Sequence, residues 1–170
     1  MGILGIVRRN FRHRHRTRRP DDMPPRPPPF RGLIEQDASL CTGCRTCAYV
    51  CSPKAISFTE QHDTGITWNF FAGQCSFCGL CVQYCPTHAI TNPGTLPPIT
   101  GDQSQLKVAH EIRYHPCANR GTPIIPIPEE ALTQVYGAAV TDLEVEQSRL
   151  CQECRRKAAS RRLHDIFARS

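Results

Sequence analysis

The sequence predicts a small α+β fold with extensions at both ends, and three observations predict it. A cysteine run recurs at an offset of 34 residues, two apolar segments flanking a polar turn read as a β-hairpin, and a short helical pattern lies inside the second run. Length sets the scale: 170 residues with a net charge of +6 accommodate one domain plus extensions, and not two large domains. No apolar run approaches the roughly 18–20 residues needed to cross a bilayer, because charged residues, Pro or Gly interrupt each stretch first.

The runs are Cys41-x-x-Cys44-x-x-Cys47-x-x-x-Cys51 and Cys75-x-x-Cys78-x-x-Cys81-x-x-x-Cys85-Pro86. The same offset carries Lys54-Ala55-Ile56 onto His88-Ala89-Ile90, and Gly43 is answered by Gly79 near the second run. This is an internal duplication rather than chance clustering. The chain has 11 cysteines, an odd number, and their spacing is not that of a disulfide framework. They read as metal ligands in a reducing compartment.

Closely spaced thiolates suit iron–sulfur clusters, because two-residue gaps let one loop wrap three corners of a cubane. In two-cluster ferredoxins the fourth cysteine of each run ligates the other cluster. The expected sets are therefore Cys41, Cys44, Cys47 and Cys85 for one [4Fe–4S] cluster, and Cys75, Cys78, Cys81 and Cys51 for the second. Zinc is the competing reading, but zinc sites take paired C-x-x-C knuckles rather than triplets with a trailing cysteine. One departure is Cys51-Ser52-Pro53, where the proline is displaced by one position. Hydrogen bonding and solvent access near Cys51, which tune potential, are expected to change with it.

The elements follow in order. Ala55–Phe58 and Ile66–Phe70 read as strands joined near His62-Asp63-Thr64-Gly65, and Leu80–Tyr84 as a short helix ended by Pro86. The fold is a bacterial-type two-cluster ferredoxin-like domain over residues 33–95, stapled by its clusters. Ile56, Ile66, Phe70, Leu80, Val82 and Ile90 are its expected core.

Residues 1–32 form a basic, proline-rich arm. Residues 1–31 hold nine Arg against two Asp, whereas the remainder holds twelve Lys or Arg against thirteen Asp or Glu. Leu4, Val7 and Phe11 share a helical face, which suits a short helix on a membrane surface or a membrane partner. A basic tail without a specific role is the alternative. Arg8-Arg9-Asn10-Phe11 superficially resembles a twin-arginine export signal, but charged residues follow where an apolar segment is required. A cytoplasmic location is expected. Residues 20–29, with Pro at 20, 24, 25 and 27–29, read as an extended polyproline-like strap.

Phe30-Arg31-Gly32, the paired runs, Ile66-Thr67-Trp68-Asn69-Phe70 and Gln74-Cys75-Ser76-Phe77-Cys78-Gly79-Leu80-Cys81 resemble the ferredoxin-like subunit of formate hydrogenlyase and related energy-converting [NiFe] hydrogenases. That subunit is similar in turn to the two-cluster subunit of respiratory complex I. The resemblance covers roughly residues 30–92, with a weaker echo in the C-terminal cysteines. It implies a subunit that is not an enzyme alone, peripheral on the inner face of the cell membrane. It would relay electrons between an electron-donor protein and hydrogenase large and small subunits and membrane subunits, in a direction the sequence leaves open. The complex I branch comes second and a free soluble ferredoxin third. The extensions argue against the last, since a diffusible carrier does not need them.

Residues 96–170 form the C-terminal extension. Cys117 and the Cys151-x-x-Cys154 pair suggest a zinc site completed by His115, with His164 as the next candidate. Free buried thiols are the alternative. Glu129–Gln147 and Ser148–Arg169 read as helices, the second offering Leu150, Leu163, Ile166 and Phe167 for packing. Its basic face, Arg155, Arg156, Lys157, Arg161 and Arg162, invites a nucleic-acid reading, which ranks low because no nucleic-acid module accompanies it.

Overall fold

The computed structural model describes residues 2–12, 25, 27, 30–62 and 64–168. The expected polyproline strap, apart from Pro25 and Pro27, lies outside the described residues, as does Asp63 of the hairpin turn. The chain divides into two compact units, Met1–Phe30 and Arg31–Ser170.

In the first unit, α1 (Ile3–Arg12) forms where the apolar periodicity places it. Its apolar residues face outward, with Leu4 84% and Phe11 89% exposed.

The second unit is built around a hairpin. β2 (Ile56–Gln61) and β3 (Gly65–Phe71) pair antiparallel, Ile56 opposite Phe70 and Gln61 opposite Gly65. Strand side chains alternate between faces, so Ile66, Trp68 and Phe70 all point to one side, where they are buried. They form the floor on which the cysteine loops rest. β5 (Lys107–Arg113) adds on the other edge of β3, Gly65 opposite Arg113 and Phe71 opposite Lys107, giving the order β2-β3-β5. This third strand lies beyond residue 95 and draws the C-terminal segment into the same sheet. Two short pairs complete the sheets: β1 (Glu35–Gln36) with β4 (Ile90–Thr91), and β6 (His115–Pro116) with β7 (Pro123–Ile124).

The duplication is visible in the backbone. The helical turns α2 (Thr46–Tyr49) and α3 (Leu80–Gln83) stand 34 residues apart. Left-handed positions recur at the same offset: Gly43 with Phe77, Arg45 with Gly79, and Lys54 with His88, all at φ between 53° and 77°. The sequence matched Gly43 loosely with Gly79, whereas in register each glycine is answered by a bulkier residue. Backbone hydrogen bonds repeat too, as in Tyr49 N–H to Arg45 C=O and Gln83 N–H to Gly79 C=O, at 3.0 and 3.1 Å. The backbone conformation repeats where the side chains do not.

The expected core holds for Ile56, Ile66, Phe70 and Ile90, while Val82 is half-buried and Leu80 exposed. The helix expected over 129–147 is broken. α4 (Glu129–Tyr136) stops at Gly137, whose φ of 66° no helix continues, and α5 (Asp142–Ser148) restarts with the Glu144 carboxylate accepting the Thr141 N–H at 2.9 Å. α6 (Gln152–Ala168) follows, preceded by buried Leu150, but Leu163, Ile166 and Phe167 are exposed rather than packed.

The Phe30-Arg31-Gly32 segment has a structural role within this unit from Arg31 onward. The Arg31 guanidinium donates to the Cys78 carbonyl, and Leu33 N–H donates to Thr95 C=O at 2.6 Å. Gly32 between them is buried at φ 65°, and a Cβ there would stand 2.4 Å from the Thr95 oxygen. Gly32→Ala is expected to destabilise the fold by about 1–3 kcal/mol. Thermal unfolding followed by circular dichroism at a fixed scan rate checks this, with a midpoint lowered by several degrees as the outcome.

Two four-cysteine pockets as candidate metal centres

Each cysteine run is a loop followed by one helical turn. The left-handed residues bend the loop so that its first three thiols converge, and the turn carries the chain away before the fourth. Cys41, Cys44 and Cys47 line one pocket, and the fourth cysteine in it is Cys85 from the other run. Cys75, Cys78 and Cys81 line a second pocket, completed by Cys51. The structure thus brings together both sets of four that the sequence paired.

Burial governs the thiols. It pushes Cys47 up to about 12 and its counterpart Cys81 up to about 11, and raises Cys41 and Cys75 in the same direction. These groups stay protonated at neutral pH until a cation takes the place of the proton. The backbone prepares them as acceptors: Phe77 N–H reaches Cys75 Sγ at 3.4 Å and Ala55 N–H reaches Cys51 Sγ at 3.2 Å. Gly43, the counterpart of Phe77, offers its amide to Cys41. The left-handed turn therefore also aims an N–H at the first sulfur of each run.

The two pockets differ in their remaining walls. Trp68 Nε1 and Gln36 Nε2 are buried beside the Cys41 pocket, and neither closes a hydrogen bond of normal geometry. Each nonetheless stands close enough to a sulfur, Trp68 to Cys47 and Gln36 to Cys41, to favour its thiolate form against the effect of burial. A buried donor without an acceptor is costly, so both imply a sulfur-rich occupant. Their orientation is fixed from β5, where His110 stacks on Trp68 at 5.7 Å and bonds through Nδ1 to Gln36 Oε1 at 2.5 Å. The Cys51 pocket has no side-chain N–H among its lining residues; its one hydroxyl, Ser76, is exposed, and its walls are mainly Ile34, Val50, Ile56, Phe70 and Leu80. Sequence reasoning found Trp68 only as part of a motif and missed Gln36 and His110, since a lone Gln and a lone His carry no pattern.

The remaining cysteines also converge. The sulfurs of Cys117, Cys151 and Cys154 all lie within 4.8 Å of one another. Cys151 N–H donates to Cys117 Sγ at 3.2 Å and holds that thiol below its ordinary value, while burial raises Cys154. His115 does not join this group: it lies exposed on β6, paired with Ile124, and the chain turns only after it. His164 is exposed on α6 beside Asp165 and does not join it either.

Eight thiols in two crossed fours, amides aimed at sulfur and two orphaned N–H donors fit a pair of iron–sulfur cubanes. Comparison with known proteins agrees. Residues 40–89 match the 4Fe-4S dicluster domain family. The chain is 31% identical over 84 residues to NADH-quinone oxidoreductase subunit I 2 of Geobacter metallireducens, covering 44% of this chain and 64% of that protein. It is 31% identical over 68 residues to NAD(P)H-quinone oxidoreductase subunit I of Gloeobacter violaceus, covering 36% of this chain and 32% of that protein. The chain therefore spans less than two thirds of the length of either relative. Its residues 40–89 are similar to a 4Fe-4S dicluster domain, and with the two four-cysteine pockets this gives two [4Fe–4S] clusters as its cofactors.

Proposed function

We propose that the chain is a one-electron relay subunit of a membrane-associated oxidoreductase complex of the quinone-oxidoreductase kind, not an enzyme by itself. The observation that carries this is the pair of crossed four-cysteine pockets on one hairpin floor. When bound, a [4Fe–4S] cluster supplies one-electron chemistry. Cys41, Cys44, Cys47 and Cys85 would hold one, and Cys75, Cys78, Cys81 and Cys51 the other. The rest of the chain positions these thiols, excludes water and sets potential.

Exposure suggests where electrons pass. The middle cysteine of each run, Cys44 and Cys78, is exposed, while the third, Cys47 and Cys81, is buried. Partners docking over the two exposed loops would reach the thiols with the shortest path to solvent. A hydrogenase-type complex is the second reading, favoured by the cysteine-bearing extension, whose three thiols lie outside the matched domain. The test is anaerobic isolation of the native protein with bound partners. Quinone-oxidoreductase subunits alongside support the first reading and a [NiFe] large subunit the second. An isolated chain carrying eight irons would overturn both in favour of a diffusible carrier.

Donors at sulfur stabilise the more negative, reduced form and so raise potential. Trp68 and Gln36 would make the cluster in the Cys41 pocket the more easily reduced. Trp68→Phe is expected to lower one of the two potentials by about 20–60 mV, converting a hydrogen bond of about 0.5–1.5 kcal/mol at about 59 mV per 1.4 kcal/mol. EPR-monitored redox titration reads it, with the second cluster as internal control.

α1 supplies the membrane contact in this reading. No described helix is long and apolar enough to cross a membrane, so α1 would lie along its surface. Leu4 and Phe11 would enter the interface, with Arg8 and Arg12 near anionic headgroups. Leu4→Asp/Phe11→Asp is expected to abolish co-sedimentation with anionic vesicles while both clusters remain. Retained binding would remove α1 from the role.

A further inference from the structure

We propose that Cys117, Cys151 and Cys154 form a mononuclear zinc site with three thiolate ligands and a fourth, solvent-filled position. The site is separate from the two cluster pockets, and it stands or falls independently of the relay function.

Distance selects the kind of metal centre. With Zn–S near 2.3 Å, tetrahedral geometry puts ligand sulfurs about 3.8 Å apart. Three sulfurs all within 4.8 Å of one another need only a small contraction to reach that spacing. A cubane, which binds each cysteine at a different iron, holds its ligand sulfurs farther apart. A single tetrahedral ion fits, and soft thiolates favour zinc among the common divalent ions.

The backbone around Cys117 is shaped as a ligand turn. Cys117 N–H donates to Thr122 C=O and Gly121 N–H donates back to Cys117 C=O, both at 2.8 Å. Gly121 adopts φ 68°, which closes the turn. The sulfur is left inside it, receiving the Cys151 amide at 3.2 Å. Cys151-x-x-Cys154 approaches from the start of α6, where Ala118 N–H to Arg149 C=O at 3.2 Å holds the two segments together.

The fourth corner can be assigned from spacing. Cys151 and Cys154 have two residues between them, and the position equally spaced from Cys117 is Arg120. A guanidinium remains a cation and does not ligate. Instead it pairs with Glu153, which lies between the two cysteines of the other turn. The described residues thus supply three donors, and Arg120 and Lys157 both pair with Glu153, leaving one net positive charge among these three residues against the −1 of three thiolates on Zn²⁺.

The site also has structural work to do. Its surroundings are a small second core of Cys117, Leu150 and Cys154, flanked by Ile124 and Cys151. Two of the three fully buried members are thiols. So small an apolar cluster contributes little to holding the β6–β7 turn against α6, and a metal would supply the missing cross-link.

The experiment is metal analysis and zinc K-edge absorption spectroscopy on the full chain purified anaerobically with its clusters intact. The expected result is one zinc per chain beyond the iron, with three sulfurs at about 2.3 Å and one oxygen or nitrogen at about 2.0–2.1 Å. Arg120→Cys should convert the shell to four sulfurs and slow zinc removal by a chelator at least tenfold. Cys117→Ser should lose the zinc and keep both cluster EPR signals. A chain purified without zinc, a ninth iron in its place, four sulfurs in the unaltered chain, or zinc retained by the Cys117→Ser/Cys151→Ser variant would each overturn the proposal. The spectrum of the unaltered chain decides the matter even where a variant fails to fold.

Discussion

Cys51 and Cys85 carry the constraint around which residues 31–168 are organised. Each ends its own cysteine run yet lines the cavity of the other. Neither half can complete a ligand set alone, so the loops, the turns α2 and α3, and the hairpin beneath must come together for either pocket to exist. The buried thiols add a second condition. Burial pushes Cys47 up to about 12 and Cys81 up to about 11, which favours the protonated thiol. Packing and metal capture are therefore linked: burial that favours the fold disfavours the bare thiolate, and iron–sulfur ligation would relieve that conflict.

Within this symmetric frame the two sites are made unequal by side chains that do not belong to the repeat. β3 crosses beneath both pockets, presenting Trp68 to one and Phe70 to the other. An indole brings an N–H where a phenyl ring brings none. β5 then fixes the difference, because His110 stacks on Trp68 and bonds to Gln36. A strand contributed by the C-terminal segment thus orders the polar wall of one cavity only. Duplicated ligand loops with unduplicated walls are a simple way to place two different potentials on one small scaffold.

What was legible in the sequence was the chemistry that depends on spacing. The cysteine runs name their own pockets, because a two-residue gap and a trailing cysteine leave little geometric freedom. The hairpin was legible for a similar reason: Ile66, Trp68 and Phe70 alternate with Thr67 and Asn69, a period-2 pattern that only a half-buried strand needs. β5 escaped because Ile112 is the one fully buried residue in Lys107–Arg113, so its alternation is weak. The break between α4 and α5 turned on one glycine and one capping pair inside a stretch whose composition favours helix throughout. His115 is close to Cys117 in sequence, but strand pairing and the turn after it decide which side chains meet, and His115 lies opposite Ile124 instead.

The pairing of β5 with β3 has a consequence for any shortened form of this protein. A piece trimmed to the two cysteine runs and their hairpin would keep all eight cluster thiols and look complete by motif. It would also strip one flank of β3 along seven register pairs, from Gly65 to Phe71. Unpaired amides and carbonyls on a strand carrying isoleucine, tryptophan and phenylalanine are a template for joining another chain. The C-terminal segment thus shields the electron-carrying core from self-association, a protective duty distinct from docking or metal binding.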